Sequence, residues 1–237
     1  MSSFSVNTFI GLFKQNFPKC IQGYHLVNSD PIKESVWEAI NTQIFSASGC
    51  KVFSSSDGSH APGSDISCTL GGISNKSTKL EQDIFNMSSY RLTKVCGSDN
   101  YGDITTILAE INKRKNFQYY SIIARNEESK SHNIEYYWYL IPGDHCLMTP
   151  ETYTWRPMYG KQGKNKGVQI GWETDTKDCG SKMKIVFNMS SQLWITIAKK
   201  PMEEFIVSST TISKEKKYSY LQLVDIIYNQ THKQKME

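Results

Sequence analysis

The chain has 237 residues, 38% hydrophobic, 12% aromatic and 21% charged, and its 27 Lys and Arg against 23 Asp and Glu leave a formal net charge of +4. This balance excludes a fibrous or disordered class, and it is too mildly basic for a purely electrostatic polyanion binder. No apolar run reaches the roughly 18 residues a membrane-spanning helix needs, so no membrane partner is expected, and 1–237 reads as a single domain.

In chain order, the N-terminal MSSFSVNTFIGLFKQNFPKC lacks a charged region followed by an unbroken apolar run and a cleavage site, so a cytoplasmic protein with reduced thiols is expected. The six cysteines (Cys20, Cys50, Cys68, Cys96, Cys146, Cys179) are dispersed without a C-x-x-C pair, which argues against structural zinc. Four N-x-[ST] triplets, at Asn75, Asn86, Asn188 and Asn229, are then chance. Asp30-Pro31 reads as the start of a helix of about four turns with Val36, Trp37, Ile40 and Ile44 on one stripe. Glu34 and Glu38 lie off that stripe, where simple solvation is the plain reading. Residues 51–63 are loop-like, and two strand-like stretches follow, split by Gly71-Gly72. Asp103 opens a second helix carrying Ile104, Ile107, Leu108 and Ile111, closed by Lys113-Arg114-Lys115. Strands are predicted at 119–124, 135–141, 168–172, 184–188 and 192–198, and a last helix at about 218–228 with Tyr220, Leu221, Val224, Ile227 and Tyr228 on one side. The class is α/β, a mixed central sheet flanked by helices. Its core falls at about 30–140, with a basic, strand-rich part at about 141–212.

Gly71-Gly72 is the expected centre of a two-residue hairpin, because such turns need positive φ. Leu70 would then face Ile73, Lys76 would face Ser67 and Asp65 would face Thr78. Strand alternation puts Asp65, Ser67 and Thr69 on one face with Ser74, Lys76 and Thr78, while Ile66, Cys68, Leu70 and Ile73 turn to the core. Asp65 and Lys76 become diagonal neighbours able to converge on one object. A carboxylate beside an ammonium suits phosphodiester hydrolysis: the acid is an oxygen ligand for Mg²⁺, and the lysine positions a water or steadies the transition state. The plain alternative is a cross-strand salt bridge worth under about 1 kcal/mol.

Pro62-Gly63-Ser64-Asp65-Ile66 followed by Ser74-Asn75-Lys76 resembles the PD-(D/E)xK nuclease motif, in the form with serine at the acid position seen in some type II restriction endonucleases. The match covers about 17 residues. The resemblance implies a restriction-endonuclease-like three-layer core, with the motif hairpin after an N-terminal helix and before another. It further implies Mg²⁺-dependent, site-specific cleavage of double-stranded DNA leaving 5′-phosphates, and a two-fold homodimer on palindromic sites. Asp65 would be the metal-binding acid, Lys76 the catalytic lysine and the Asn75 carbonyl a further metal ligand. Ser74 stands where the second acid usually is. Glu38, matching a helix glutamate that many members direct to the metal, is the favoured substitute, with Glu81 the alternative.

The segment 155–172, WRPMYGKQGKNKGVQIGW, combines Arg156, Lys161, Lys164 and Lys166 with four glycines and no acid. Such a segment suits phosphate contact, with Arg156, Gln162, Asn165 and Gln169 as possible base readers. A solvated basic loop is the alternative. His60, just before the motif, and His132-Asn133 are incidental histidines. The rival functions are a DNA-binding module of the same fold that lost its chemistry, and a secreted disulfide-stapled binding domain.

Overall fold

The computed structural model describes residues 5–55, 63–93, 95–96, 103–127, 131–187 and 191–234. His60, Pro62, Asn188 and most of the expected loop at 51–63 lie outside them.

Two helices open the chain, α1 (Ile10–His25) and α2 (Glu34–Ala47). Three strands follow, β1 (Val52–Ser55), β2 (Ile66–Cys68) and β3 (Gly71–Lys79). Next come β4 (Ile84–Arg91), α3 (Ile104–Arg114), β5 (Tyr119–Asn126) and β6 (Asn133–Pro142). The remainder is β7 (Trp155–Tyr159), β8 (Gln169–Thr174), β9 (Lys182–Val186), β10 (Gln192–Ala198), β11 (Ile206–Ser213) and α4 (Tyr220–Gln234). The strands form a six-stranded sheet ordered β1-β2-β3-β5-β6-β11 and a five-stranded sheet ordered β4-β10-β9-β8-β7. The molecule is therefore mixed α/β. β3 and β5 pair in parallel, Asn75 beside Ser121 and Lys76 beside Ile122, while the other pairings are antiparallel. A parallel neighbour needs a long crossover, which β4 and α3 supply.

Alternation along the first sheet sends its side chains into two cores. On one face Ile73, Ile123, Trp138 and Leu140 meet Phe13, Phe17 and Ile21 of α1 and Trp37, Ile44 and Phe45 of α2. Trp138 is the hub, with Phe13, Phe17, Trp37 and Phe45 ringed around it at centroid distances of 5.2–6.1 Å. On the other face Tyr120, Ile122, Tyr139 and Ile141 meet Ile107 and Ile111 of α3 and Phe85, Met87, Ile185 and Ile195 of the second sheet. Each such buried side chain contributes about 1.5–3 kcal/mol, so the first sheet is fixed from both sides.

Several expectations shift. α2 begins at Glu34 behind Lys33, not at Asp30-Pro31. The Ile32 N–H is taken by the Tyr136 hydroxyl at 3.1 Å and its side chain is buried, which holds 31–33 out of the helix. Asp103 does cap α3, accepting from the Thr105 N–H at 2.9 Å. The last helix runs over Tyr220–Gln234, and Tyr220, Leu221 and Val224 of its apolar side are exposed, Leu221 by 78%. The boundary near 140 is crossed twice: β4 joins the second sheet, and β11 returns to the first.

Candidate functional site

The hairpin turns at Thr69-Leu70, not at Gly71-Gly72. Cys68 pairs with Gly71, Ser67 with Gly72 and Ile66 with Ile73. Gly71 takes φ +100° directly after the turn, so the positive φ falls behind the two central residues. Gly72 is required for a close approach instead. A Cβ there would lie 2.9 Å from Ser64 Cβ and 3.0 Å from Phe117 Cα, while its N–H donates to the Gln118 side chain and its carbonyl accepts from the Gln118 N–H at 2.8 Å.

The register is thus displaced by four residues from the expected one. Because four is even, the faces survive the shift. Continuing the pairing by one residue sets Asp65 across from Ser74, and its N–H donates to the Ile73 carbonyl at 2.8 Å. Lys76 remains its diagonal neighbour, now on the other side of the pair. Thr78, the expected partner of Asp65, is buried and joins β3 to β4 through bonds of its hydroxyl with the Asn86 backbone.

α2 brings the remaining acids. Glu34, Glu38 and Asn41 recur at four- and three-residue spacing and so form one polar stripe beside the apolar one. Lys76 Nζ donates to Glu34 Oε1 at 2.8 Å and to the Asn75 carbonyl at 2.6 Å. The lysine side chain is 13% exposed and that of Glu34 is 43% exposed, so the pair sits at the rim of the site. Asn75 ties the parts together. Its N–H donates to Asp65 Oδ2 at 2.5 Å, and its side-chain oxygen accepts from Asn41 Nδ2 at 2.6 Å. Asn41 Nδ2 also donates to Ser121 Oγ at 2.7 Å, and Trp138 Nε1 donates to the same hydroxyl at 2.9 Å. Asn41 Oδ1 and Asn75 Nδ2 are buried without a protein hydrogen-bond partner.

Crowding of charge sets the electrostatics. Burial raises the Glu38 carboxyl, and the Asp65 and Glu34 carboxylates raise it further against the pull of Lys76, to about 7. Asp65 is also raised, chiefly by burial, although Lys76, the Asn75 N–H and the Ser74 hydroxyl oppose the shift. Burial alone would lower Lys76, but Glu34 and Asp65 outweigh it and keep the ammonium above its ordinary value. Three carboxyl groups around one ammonium are short of positive charge, and the free oxygens here are hard donors suited to Mg²⁺. Asp65, Glu38 and the Asn75 carbonyl fit that ion by donor chemistry. Among the described residues, however, no three His, Cys, Asp or Glu side chains are grouped closely enough to hold a metal ion by themselves.

The other expected residues lie apart. Glu81 is exposed in the β3–β4 turn, beyond the end of β3 and about 16 Å along the strand from Lys76. Lys161, Gln162, Lys164, Asn165 and Lys166 are exposed on the β7–β8 connection. Arg156 is 60% exposed and paired with Glu173 and Asp175 at 3.4 and 3.5 Å, and Gln169 donates to the Gly171 carbonyl. β7 is the far edge of the second sheet, four strands or about 19 Å from β4, the strand bonded to Thr78. Glu34 and Asn41 are the members that sequence reasoning missed. The signal that could have found them is their shared stripe with Glu38.

No helix among the described residues is long and apolar enough to cross a membrane. Comparison with known proteins returns no matching family model, no matching curated protein and no matching solved structure.

Proposed function

We propose that the chain is a Mg²⁺-dependent, sequence-specific endonuclease of double-stranded DNA, of the PD-(D/E)xK type, leaving 5′-phosphate ends and working inside the cell as a two-fold dimer. The observation that carries the reading is the convergence of Asp65, Lys76, Glu34 and Glu38 at one end of the β2–β3 hairpin. The order α2, β1, β2, β3, β4, α3, β5, with β5 parallel beside β3, supports it, since the family places its motif hairpin between two helices. Helices α1 and α2 on one face of the sheet, and α3 with the second sheet on the other, agree with a restriction-endonuclease-like layering.

In this reading Lys76, held as an ammonium by Glu34, donates to the attacking water or to a phosphate oxygen as charge builds there. Asp65, fixed by the Asn75 N–H, presents its remaining oxygen to the same space. Glu38, near 7, can give up or take a proton at neutral pH. Bound Mg²⁺, held by Asp65, Glu38 and the Asn75 carbonyl, would supply neutralisation of phosphate charge and acidification of water. Lys161, Lys164 and Lys166 supply phosphate contacts at a distance from the chemistry. The exposed Leu221 and Val224 of α4 leave apolar surface for a second copy.

One observation favours a second reading. Ser74 hydrogen-bonds Asp65 where the second acid usually stands, which fits a DNA-binding module without catalysis. Incubation with mixed-sequence duplex DNA, in Mg²⁺ and in EDTA, separates the two. Discrete fragments that need Mg²⁺ and vanish in Asp65→Ala and Lys76→Ala support the enzyme, and retention of DNA without cleavage supports the module.

A further inference from the structure

All six cysteines carry free thiols, but two of them are neighbours. Val52 stands across from Cys68 in the β1–β2 ladder, and Lys51 and Thr69 exchange bonds one step earlier, with Lys51 N–H to Thr69 Oγ1 at 2.8 Å and Thr69 N–H to the Lys51 carbonyl at 2.9 Å. Cys50 therefore precedes Val52 by two residues on the face that Cys68 shares, which makes the pair diagonal cross-strand neighbours. The Cys50 sulfur meets Thr69 Oγ1 at 3.5 Å, the Cys68 thiol donates to the Gly71 carbonyl at 3.4 Å, and the two thiols lie close enough to shift each other's ionisation. Both are buried against the end of α2, where the Cys50 N–H donates to the Phe45 carbonyl at 3.0 Å.

We infer that Cys50 and Cys68 form a reversible dithiol–disulfide site that reacts with small-molecule disulfides of the glutathione class and clamps the strand leading to Asp65. Cys50 is the attacking sulfur. The neighbouring Cys68 thiol, with further help from Thr69, lowers its pKa against the opposing effect of burial and so favours its thiolate. Cys68 is pushed the other way and keeps its proton. Access comes through β1, a four-residue edge strand paired only to β2 in its sheet, which is the kind of element that opens locally at low cost.

The exchange balances in two steps. Cys50 Sγ⁻ attacks one sulfur of the external disulfide, forming a mixed disulfide and expelling a thiolate. Cys68 then attacks Cys50 Sγ, its proton passing to solvent or to the departing thiolate, and a second thiolate leaves. The protein loses two electrons and two protons overall, and one external disulfide becomes two thiols. The product closes residues 50–68 into a loop that contains Asp65.

The test exposes the folded, full-length chain to oxidised glutathione, followed by intact mass and peptide mapping without reduction. The expected result is loss of two hydrogens, a Cys50–Cys68 cross-link restored to thiols by dithiothreitol, and a melting temperature raised by about 5 °C. Cys68→Ser should instead retain glutathione on Cys50, and Cys146→Ser, which alters an exposed thiol, should leave the cross-link intact. Glutathione found only on other cysteines, or a 50–68 link that forms only in denaturant, overturns the inference. The wild-type arm needs no variant to fold, and neither outcome depends on nuclease activity.

Discussion

The hairpin end and the β7–β8 connection are both polar and both carry lysines, yet they differ in how their charges are held. Lys76 is largely buried, with Glu34 and the Asn75 carbonyl on its ammonium and two further carboxyl groups within electrostatic reach. Lys161, Lys164 and Lys166 stand in solvent on an edge hairpin. In the first region burial converts each charge into a demand on its neighbours, and pKa values move. In the second, water answers for each charge separately. Chemistry that needs a shifted group belongs to the first, and salt-dependent attraction to a polyanion belongs to the second.

Removing the shared cation should break the contrast most severely. Lys76→Ala leaves Glu34, Glu38 and Asp65 without their counterion, and the half-exposed Glu34 holds the cost to about 3 kcal/mol, read by urea unfolding. It should also abolish Mg²⁺-dependent cleavage. Asn41→Ala comes next. It strips a donor from Asn75 and Ser121 in a dry interior and should cost about 2 kcal/mol in the same assay.

Glu38→Gln sharpens the comparison through pH. An unfolded glutamate ionises near 4.5 and Glu38 in the fold near 7, so between those values the native state holds a proton that the unfolded chain has lost. Wild-type stability should therefore fall as pH rises from about 4.5 to about 7, with the loss complete above. The glutamine variant should lose that slope and be the more stable protein at pH 8. Carbon-detected titration of Glu38 should find an apparent pKa near 7 that drops when Mg²⁺ is added. A Glu38 titrating at the unfolded value would remove the electrostatic case for this corner. The smallest effect is Lys164→Ala, which should leave stability within about 0.5 kcal/mol and lower the salt slope of DNA binding by about one.

What could be read from the sequence follows from how local each signal is. The stripes of α2 and α3, the continuous apolar runs of β5 and β6 and the alternation of β10 emerge from local pattern alone. α1 escaped because Pro18 falls within the spacing of Phe13, Phe17 and Ile21, and Gly11 and Gly23, weak helix formers, flank it. β11 escaped because IVSSTTIS carries hydroxyls where a half-buried strand would show apolar residues. The shared face of Asp65 and Lys76 was legible despite the misplaced turn, since a register shift of four keeps the faces. Glu34 was not legible as a partner of Lys76, because that contact depends on how α2 sits over β3. Asn41 went unread because its partners, the Asn75 side chain and the Ser121 hydroxyl, lie on strands far from it in sequence.

Asn75 also sets how the chain tolerates insertions. Its backbone serves Asp65 and Lys76 on one side of the sheet while its side chain serves Asn41 on the other. One residue inserted between Gly72 and Ser74 would exchange those sides, driving the ammonium toward Trp37 and Trp138 and leaving the amide to face the acids. Two inserted residues would restore the sides but carry Lys76 about 7 Å along the strand, past Glu34. The same additions among residues 161–166 would only lengthen an exposed connection.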